Sequence, residues 1–354
     1  MLPGEDTEFA FELRVCRWAE RAWEPAREDS VVLVARQLGT RDRRWDTLVL
    51  ECDPDGLRQR ANFGLDALDS DLLHVVRHAP AEWTYYRDAL PYPGYPWRYV
   101  REAVHNAADR GIVETRKSGG RIECRRKWEY PDWCRRIVAV ENKPDLDASA
   151  ADALVSQLEY DVALSLADEA WVATRATGGA VEPVLLESLP VQAGILTVDV
   201  GDGDGTPASE ASVAWHARSL AVDDPGTRIL ERPDGSEFDA SAARFEYADP
   251  EWKADKRREI AERAYARGWR SYVDTMRPDC RHFQAREDGT LLPWCDAKGR
   301  CQTAGECAGR CAEFEPEPPA WRTRGWPIEG GPGAATKRLL SRRRRGRRPG
   351  LAEE

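Results

Sequence analysis

The chain has 354 residues, which is long enough for two domains and a well-filled core. Acidic residues outnumber basic ones, 62 against 52, and the formal net charge is -10. No apolar stretch reaches the length of a membrane span, and the first residues carry neither the basic nor the apolar region of a signal peptide. These features exclude an integral membrane protein and predict a cytoplasmic one.

The acidity has an unusual character, because arginine supplies most of the positive charge and lysine is scarce. Carboxylate-rich, lysine-poor surfaces keep proteins soluble at very high salt, where the Debye length falls to about 3 Å. We therefore expect the source to be a halophilic archaeon. At such salt concentrations long-range repulsion is screened, so the negative net charge does not exclude a nucleic acid as partner.

The predicted elements begin with an amphipathic helix over about 8–23, whose inward face includes Glu12. Two strand patterns follow over 31–35 and 44–52, and the second carries Asp46 near its start. The first helix and the second strand of this predicted α/β fold therefore each carry one acidic side chain of interest, Glu12 and Asp46.

A third strand pattern ends in Glu141, with Lys143 two residues further on. Side chains two apart on a strand point the same way, so a carboxylate and an ammonium share one face. Such a pair suits metal-dependent phosphodiester chemistry, with the carboxylate on Mg²⁺ and the ammonium beside the attacking water. A helix over 148–166, which carries Gln157, and a strand over 169–174 follow.

This order of helix, three strands, helix and strand, with these side chains, resembles the PD-(D/E)xK nuclease superfamily and its RecB-type branch. The resemblance implies a restriction-endonuclease-like αβββαβ core formed by residues 1–52 and 134–222. No proline precedes Asp46, unlike the motif that gives the superfamily its name. The whole chain also resembles a haloarchaeal family of unknown function, which suggests a source and no activity.

The resemblance also implies roles for the side chains. Asp46 and Glu141 would bind Mg²⁺ or Mn²⁺, and Lys143 would be the catalytic lysine. Glu12 would be an accessory acid, and Gln157 would position substrate and catalytic groups. The implied activity is a nuclease that hydrolyses phosphodiester bonds in DNA. A non-catalytic DNA-binding or regulatory protein with the same fold and an RNA-processing nuclease are the alternatives, and the presence of both acids and the lysine favours the enzyme.

Residues 53–133 are predicted to be an insertion between the second and third strands. Three short helical patterns precede two alternating strands that meet at Gly119-Gly120, a hairpin turn. Three helices followed by a basic hairpin are typical of a winged helix, with packing or protein contact as the alternative use. The candidate groups for duplex or branched DNA on its third helix and wing are Arg98, Arg101, Arg116, Lys117, Arg121 and Arg125.

A helix and a cysteine-rich segment are predicted over 250–320. The segment is rich in loops and has little core, so four thiolates around one metal ion would stabilise it. The expected Zn²⁺ ligands are Cys280, Cys295, Cys307 and Cys311. Cys301 is then the spare thiol. A 4Fe–4S cluster is less favoured, because RecB-like nucleases with such a cluster place one cysteine near the N-terminus, and unmetallated thiols are the third possibility.

Residues 330–354 contain a run of arginines after several glycines. The pattern predicts a disordered basic arm that contacts a nucleic-acid backbone, or a solvated tail without function. The oligomeric state is open, and a dimer is compatible with the sequence.

Overall fold

The structure of the chain, a computed structural model, describes residues 7–24, 26–176, 181, 187–199, 211–231, 244–274, 276–286, 292–307, 310–322 and 331–346. Its α-helices are α1 (Glu8–Ala22), α2 (Pro54–Ala61), α3 (Ser70–His78), α4 (Tyr86–Ala89), α5 (Trp97–Asp109), α6 (Ala148–Leu164), α7 (Pro250–Arg267), α8 (Ala304–Cys307) and α9 (Gly331–Gly346). Its strands are β1 (Val31–Gly39), β2 (Arg44–Cys52), β3 (Thr84–Tyr85), β4 (Val113–Ser118), β5 (Arg121–Arg126), β6 (Cys134–Asn142), β7 (Glu169–Arg175), β8 (Gly194–Val198), β9 (Ala211–Trp215), β10 (Gly226–Glu231), β11 (Arg244–Ala248), β12 (Phe283–Arg286), β13 (Leu292–Cys295) and β14 (Arg300–Cys301). The fold is mixed α/β, as expected. None of the described helices is both long and apolar enough to cross a lipid bilayer.

The main sheet has six strands in the order β1-β2-β6-β7-β8-β9. The pairs β1–β2 and β2–β6 are antiparallel, the pairs β6–β7 and β7–β8 are parallel, and β9 returns antiparallel. Since α6 connects β6 to β7, the chain runs helix, strand, strand, strand, helix, strand from α1 to β7 once the residues between β2 and β6 are set aside.

Helices cover both faces of this sheet, because its buried strands alternate apolar residues between two sides. Val49 of β2 packs in the cluster that contains α1, whereas its neighbours Leu48 and Leu50 pack in the cluster that contains Ile260 and Tyr265 of α7. On the α7 side, α6 covers β7 and β8. Helix α7 therefore belongs to the main core and not to the cysteine-rich segment, with which the sequence grouped it.

Helix α1 differs from the amphipathic helix that the sequence predicts, because every residue from Phe9 to Ala19 is buried. One side of α1 lies on the sheet. The other side is covered by residues that follow α7, among them Trp269, Tyr272 and Trp294, which share its core cluster. Thr7 is the N-cap of α1, since its Oγ1 accepts a hydrogen bond from Ala10 N at 3.2 Å.

The inserted residues form a body with a core of their own. It contains α2 to α5 and a three-stranded sheet in the order β3-β5-β4. The two strands of the predicted hairpin are β4 and β5, and Gly119 and Gly120 adopt the left-handed φ values of 54° and 79° that their turn requires. Helix α2 and the short strand β3 have no counterpart in the sequence prediction.

The structure corrects the disordered arm predicted over 330–354, because residues 331–346 form α9. Leu340 of α9 is buried in the core cluster of α1. A Cβ atom at Gly333 would lie 2.5 Å from Pro278 O, so this glycine allows close packing and does not interrupt structure. Residues 347–354, which include the end of the arginine run, lie outside the described residues.

A buried ion pair joins the inserted body to the main core. Arg60 of α2 and Glu262 of α7 contact each other, and neither side chain has any exposed surface. Glu262 also accepts hydrogen bonds from Tyr130 Oη at 2.7 Å and from Leu68 N at 3.1 Å. The guanidinium of Arg60 lies 4.4 Å from the ring centroid of Tyr265. A charged pair is stable inside a protein only with such additional partners, so these contacts fix the insertion on α7.

We expect Glu262→Ala to lower the free energy of unfolding by about 3–5 kcal/mol, because it leaves the Arg60 guanidinium buried without its counter-charge. Asp55→Ala is the matched control, since Asp55 pairs with Arg58 on the exposed surface of the same helix α2. That change should cost at most about 1 kcal/mol. Urea denaturation of both variants measures the difference, and equal losses would contradict the prediction.

Candidate functional site

Four of the predicted catalytic side chains lie together at one end of the main sheet: Glu12, Asp46, Glu141 and Lys143. Gln37 connects two of them, because its Nε2 donates to Glu12 Oε1 at 3.0 Å and to Asp46 Oδ1 at 3.1 Å. The other oxygen of Asp46 accepts from Asn142 N at 3.0 Å. Asp46 on β2 is thereby held beside the end of β6.

An irregularity in β1 makes this arrangement possible. The antiparallel ladder pairs Arg36 with Thr47 and Leu38 with Trp45, and it omits Gln37 and the facing Asp46. Gln37 has a φ of 53°, a left-handed value that is uncommon outside glycine. Backbone strain of this kind concentrates at functional sites. Here it directs the Gln37 amide toward both carboxylates.

Glu12 is buried and held by two neighbours. Arg36 donates from Nε to Glu12 Oε1 at 3.0 Å and from Nη2 to Oε2 at 2.7 Å. Burial raises the pKa of Glu12, and the charge and hydrogen bonds of Arg36 oppose this shift. Gln37 donates to both carboxylates, so the buried Glu12 helps to hold the Gln37 amide against Asp46.

Glu141 is also buried, and it belongs to an ionic network that reaches α6. Arg43 Nη2 donates to Glu141 Oε1 at 2.8 Å and to Asp161 Oδ2 at 2.7 Å. Trp45 Nε1 donates to Asp161 Oδ1 at 2.9 Å. Burial raises the pKa of Glu141 to about 8, the charge of Asp46 adds to this rise, and Arg43 opposes it. Asp46 is therefore near enough for its negative charge to act on the Glu141 carboxyl.

Sequence reasoning missed Arg43 and Asp161. A signal for Asp161 was present, because this carboxylate follows Leu154 and Leu158 on the buried stripe of α6. Gln157, which the resemblance assigned to the site, is exposed and makes no hydrogen bond to the other site residues within the described part of the chain. The α6 side chain that reaches the site lies one turn further on.

Lys143 is half-buried beside the acids. Its Nζ donates to Glu8 Oε1 at 2.9 Å. Burial lowers the pKa of Lys143, but the carboxylates of Glu8, Asp46 and Glu141 raise it by more. The side chain is thus a stable ammonium at the edge of the carboxylate pair.

The chemistry of this cluster fits a hard cation. Asp46 and Glu141 offer carboxylate oxygens, which Mg²⁺ and Mn²⁺ prefer. Asn142 Oδ1 is buried there without a hydrogen-bond partner among the described residues, although its Nδ2 donates to Thr47 Oγ1 at 2.9 Å. Within the described residues, no three His, Cys, Asp or Glu side chains are already arranged around one point as metal ligands. A cation would therefore draw on two carboxylates together with water.

The six candidate DNA-binding cations separate into two groups. Two are neutralised within the hairpin, since Arg116 Nε contacts Glu123 at 2.6 Å and Arg125 contacts Glu114. Both guanidinium groups also lie over the ring of Trp83, at 4.6 and 4.7 Å from its centroid. The other four are exposed and form no ion pair within the described residues: Arg98, Arg101, Lys117 and Arg121.

The cysteine-rich segment brings together the four predicted metal ligands. The thiols that line one small cavity are Cys280, Cys295, Cys307 and Cys311. Cys301, the predicted spare, does not line it and is buried in the core cluster of α1. All nine cysteines of the chain are free thiols.

The chain matches the model of one known protein family. A model described as "Family of unknown function (DUF5787)" matches residues 33–316. The chain belongs to this family. No curated protein and no solved structure matches it. The matched region contains most of β1, all of β2, the insertion, Glu141 with Lys143, and all four cavity-lining cysteines.

The raised pKa of Glu141 predicts a pH dependence of stability. Burial raises the pKa of Glu141 from the ordinary glutamate value of 4.5 to about 8 in the folded chain. Across this window the folded state binds the additional proton, so the free energy of unfolding falls as the pH rises. We expect the stability of the wild type to fall relative to Glu141→Gln, which cannot titrate.

Thermal unfolding in the presence of a chelator, at a series of pH values, measures this difference. Asp152→Asn is the matched control, because Asp152 is an exposed carboxylate on α6. The control should follow the wild type at every pH. Parallel curves for the wild type and Glu141→Gln would contradict the prediction.

Proposed function

We propose that the protein is a metal-dependent nuclease of the PD-(D/E)xK type that hydrolyses phosphodiester bonds in DNA. The observation that carries the proposal is the convergence of Asp46, Glu141 and Lys143 at the ends of the adjacent strands β2 and β6. Glu12 of α1 supports Asp46 through Gln37. Asp46 is distant in sequence from Glu141 and Lys143, and the pairing of β2 with β6 brings the three side chains to one end of the sheet.

The order of the secondary-structure elements supports a restriction-endonuclease-like αβββαβ core. It is formed by α1, β1, β2, β6, α6 and β7. The insertion at residues 53–133 lies between β2 and β6, and it accounts for the long separation in sequence between Asp46 and Glu141. The antiparallel pairing of β2 with β6 brings the two acids back to one end of the sheet.

Asp46 and Glu141 would hold Mg²⁺ or Mn²⁺ at this end. When bound, such an ion polarises the scissile phosphate and lowers the pKa of a water molecule. Lys143 places an ammonium charge where an attacking water and the negative charge that develops on phosphorus would lie. Glu8 holds this ammonium in the free protein.

The network behind the two acids acts by orientation. Arg43 and Asp161 fix the carboxylate of Glu141, and Gln37 with the main chain of Asn142 fixes that of Asp46. Side chains held in this way lose little further freedom on reaching the transition state, which is one source of catalytic rate. Arg43 and Asp161 are therefore positioning residues.

The inserted body has the element order of a winged helix, with α3, α4 and α5 followed by the β4–β5 hairpin. In that arrangement α5 would be the recognition helix and the hairpin would be the wing. The exposed cations of both elements support contact with duplex or branched DNA. At high salt only such short-range contacts survive, so this body would choose the substrate.

We expect Asp46→Ala, Glu141→Ala and Lys143→Ala each to lower Mg²⁺-dependent cleavage by roughly 10²-fold or more, because each removes a metal ligand or a charge beside the reacting phosphate. The assay uses single-stranded, duplex and branched DNA and RNA in molar KCl. Asp152→Asn should cleave as the wild type does, and circular dichroism should be unchanged in all four variants.

Each alternative has its own result in this assay. Tight binding of DNA without cleavage by the wild type would favour a regulatory protein, and cleavage of RNA alone would favour RNA processing. Full activity in Lys143→Ala would contradict the proposed catalytic role.

Reversal to glutamate of the four exposed candidate cations that lack an ion pair should raise the Kd for duplex or branched DNA, because phosphate contacts become repulsive. The variant carries changes at Arg98, Arg101, Lys117 and Arg121. A matched variant with the same change in net charge reverses four exposed arginines outside the insertion: Arg21, Arg27, Arg218 and Arg244. Fluorescence anisotropy at high KCl compares them. Equal affinities in the two variants would indicate that the insertion serves packing or protein contact.

A further inference from the structure

We propose that Cys280, Cys295, Cys307 and Cys311 bind one Zn²⁺ ion as four thiolates. The site is separate from the carboxylate cluster and does not depend on the proposed nuclease activity. It would hold the cysteine-rich segment, residues 276–322, in the conformation in which it covers α1.

The size and lining of the cavity fit a single metal ion. The four cysteines line a space of about 20 Å³, which is large enough for one ion or water molecule. Three aromatic side chains, Phe283, Trp294 and Phe314, and three polar ones, Gln302, Glu306 and Glu313, also line it. Four thiolates around one ion form a mononuclear S₄ centre, for which tetrahedral Zn²⁺ is the usual ion.

Local backbone turns bring the cysteines toward the cavity. The carbonyl of Cys280 accepts from Phe283 N at 3.1 Å, that of Cys295 from Gly299 N at 2.8 Å, and that of Cys311 from Phe314 N at 3.2 Å. The chain thus reverses directly after each of these three cysteines. Gly299 has a φ of 61°, which only glycine adopts without strain. The fourth thiol, Cys307, is at the C-terminal end of α8.

The thiols are near one another, although they are not yet in ligand geometry. All four thiols line the same cavity. No three of them meet the geometric requirement for a bound ion. Zn–S bonds are about 2.3 Å long, so the side chains must turn further into the cavity that they already line.

The segment needs such a centre, because it has little else to stabilise it. In its described residues, the regular structure consists of three strands of 4, 4 and 2 residues, an α-helix of 4 residues and a 3₁₀-helix of 4 residues. Its buried residues in the core cluster around α1 are Met276, Trp294 and Cys301. A module this small usually requires a metal or a disulfide, and its cysteines are free thiols.

Elemental analysis of the full-length protein tests the proposal. We expect about one equivalent of zinc per chain, and a Co²⁺-substituted sample should show thiolate-to-cobalt charge-transfer absorption. Single changes to serine at each of the four cavity cysteines should lower the zinc content by at least about tenfold. Cys301→Ser is the matched control from the same segment and should retain zinc, as should Asp46→Ala.

Thiol alkylation of the folded wild type covers the case in which a serine variant fails to fold. In the zinc-loaded protein, peptide mapping should find the four cavity cysteines protected until a chelator is added, while the reactivity of Cys134, a half-buried thiol outside the segment, stays constant. Absence of zinc after reconstitution, a brown protein with iron and sulfide, or unchanged zinc in the cavity variants would each overturn the proposal. Loss of nuclease activity alone would not bear on it.

Discussion

The rest of the site depends on the two ion pairs of the Arg43 guanidinium. This group is shared between Glu141 and Asp161 in a region from which water is nearly excluded. A buried charge without a partner costs several kcal/mol, so the buried positions of these three side chains depend on their ion pairs with one another. Arg43 follows the β1–β2 turn, Glu141 ends β6, and Asp161 lies on α6. One cation therefore fixes the relative positions of three elements.

The parts of the site that sequence reasoning predicted are those with a short-range signature. The spacing of Glu141 and Lys143 on a strand, and the acid at the start of β2, are visible because strand periodicity is two residues. Arg43 and Asp161 are 118 residues apart, and no periodic pattern connects them. Gln157 was the prediction from the resemblance, whereas the packing of α6 brings Asp161 to the site instead.

Composition alone does not predict the helix at residues 331–346. Glycines followed by arginines predict disorder from residue types alone. Such a prediction takes no account of the rest of the protein, against which these residues can pack. In the structure Leu340 finds a place in the core beside α1, and Gly333 fits against the backbone at Pro278. The hairpin of the insertion gives the same lesson. Its arginines can be counted from sequence, but the pairing of Arg116 with Glu123 is a property of register.

The enclosure of α1 has a consequence for how the protein is made. This helix is the first element of the described chain, and part of its cover comes from residues after α7. During synthesis its apolar surface must remain exposed, or be shielded by a chaperone, until those residues leave the ribosome. Contacts between such distant parts of a sequence also form slowly, because a long loop must close first. Packing of α1, the helix that carries Glu12, is therefore complete only after the residues that follow α7 have been made.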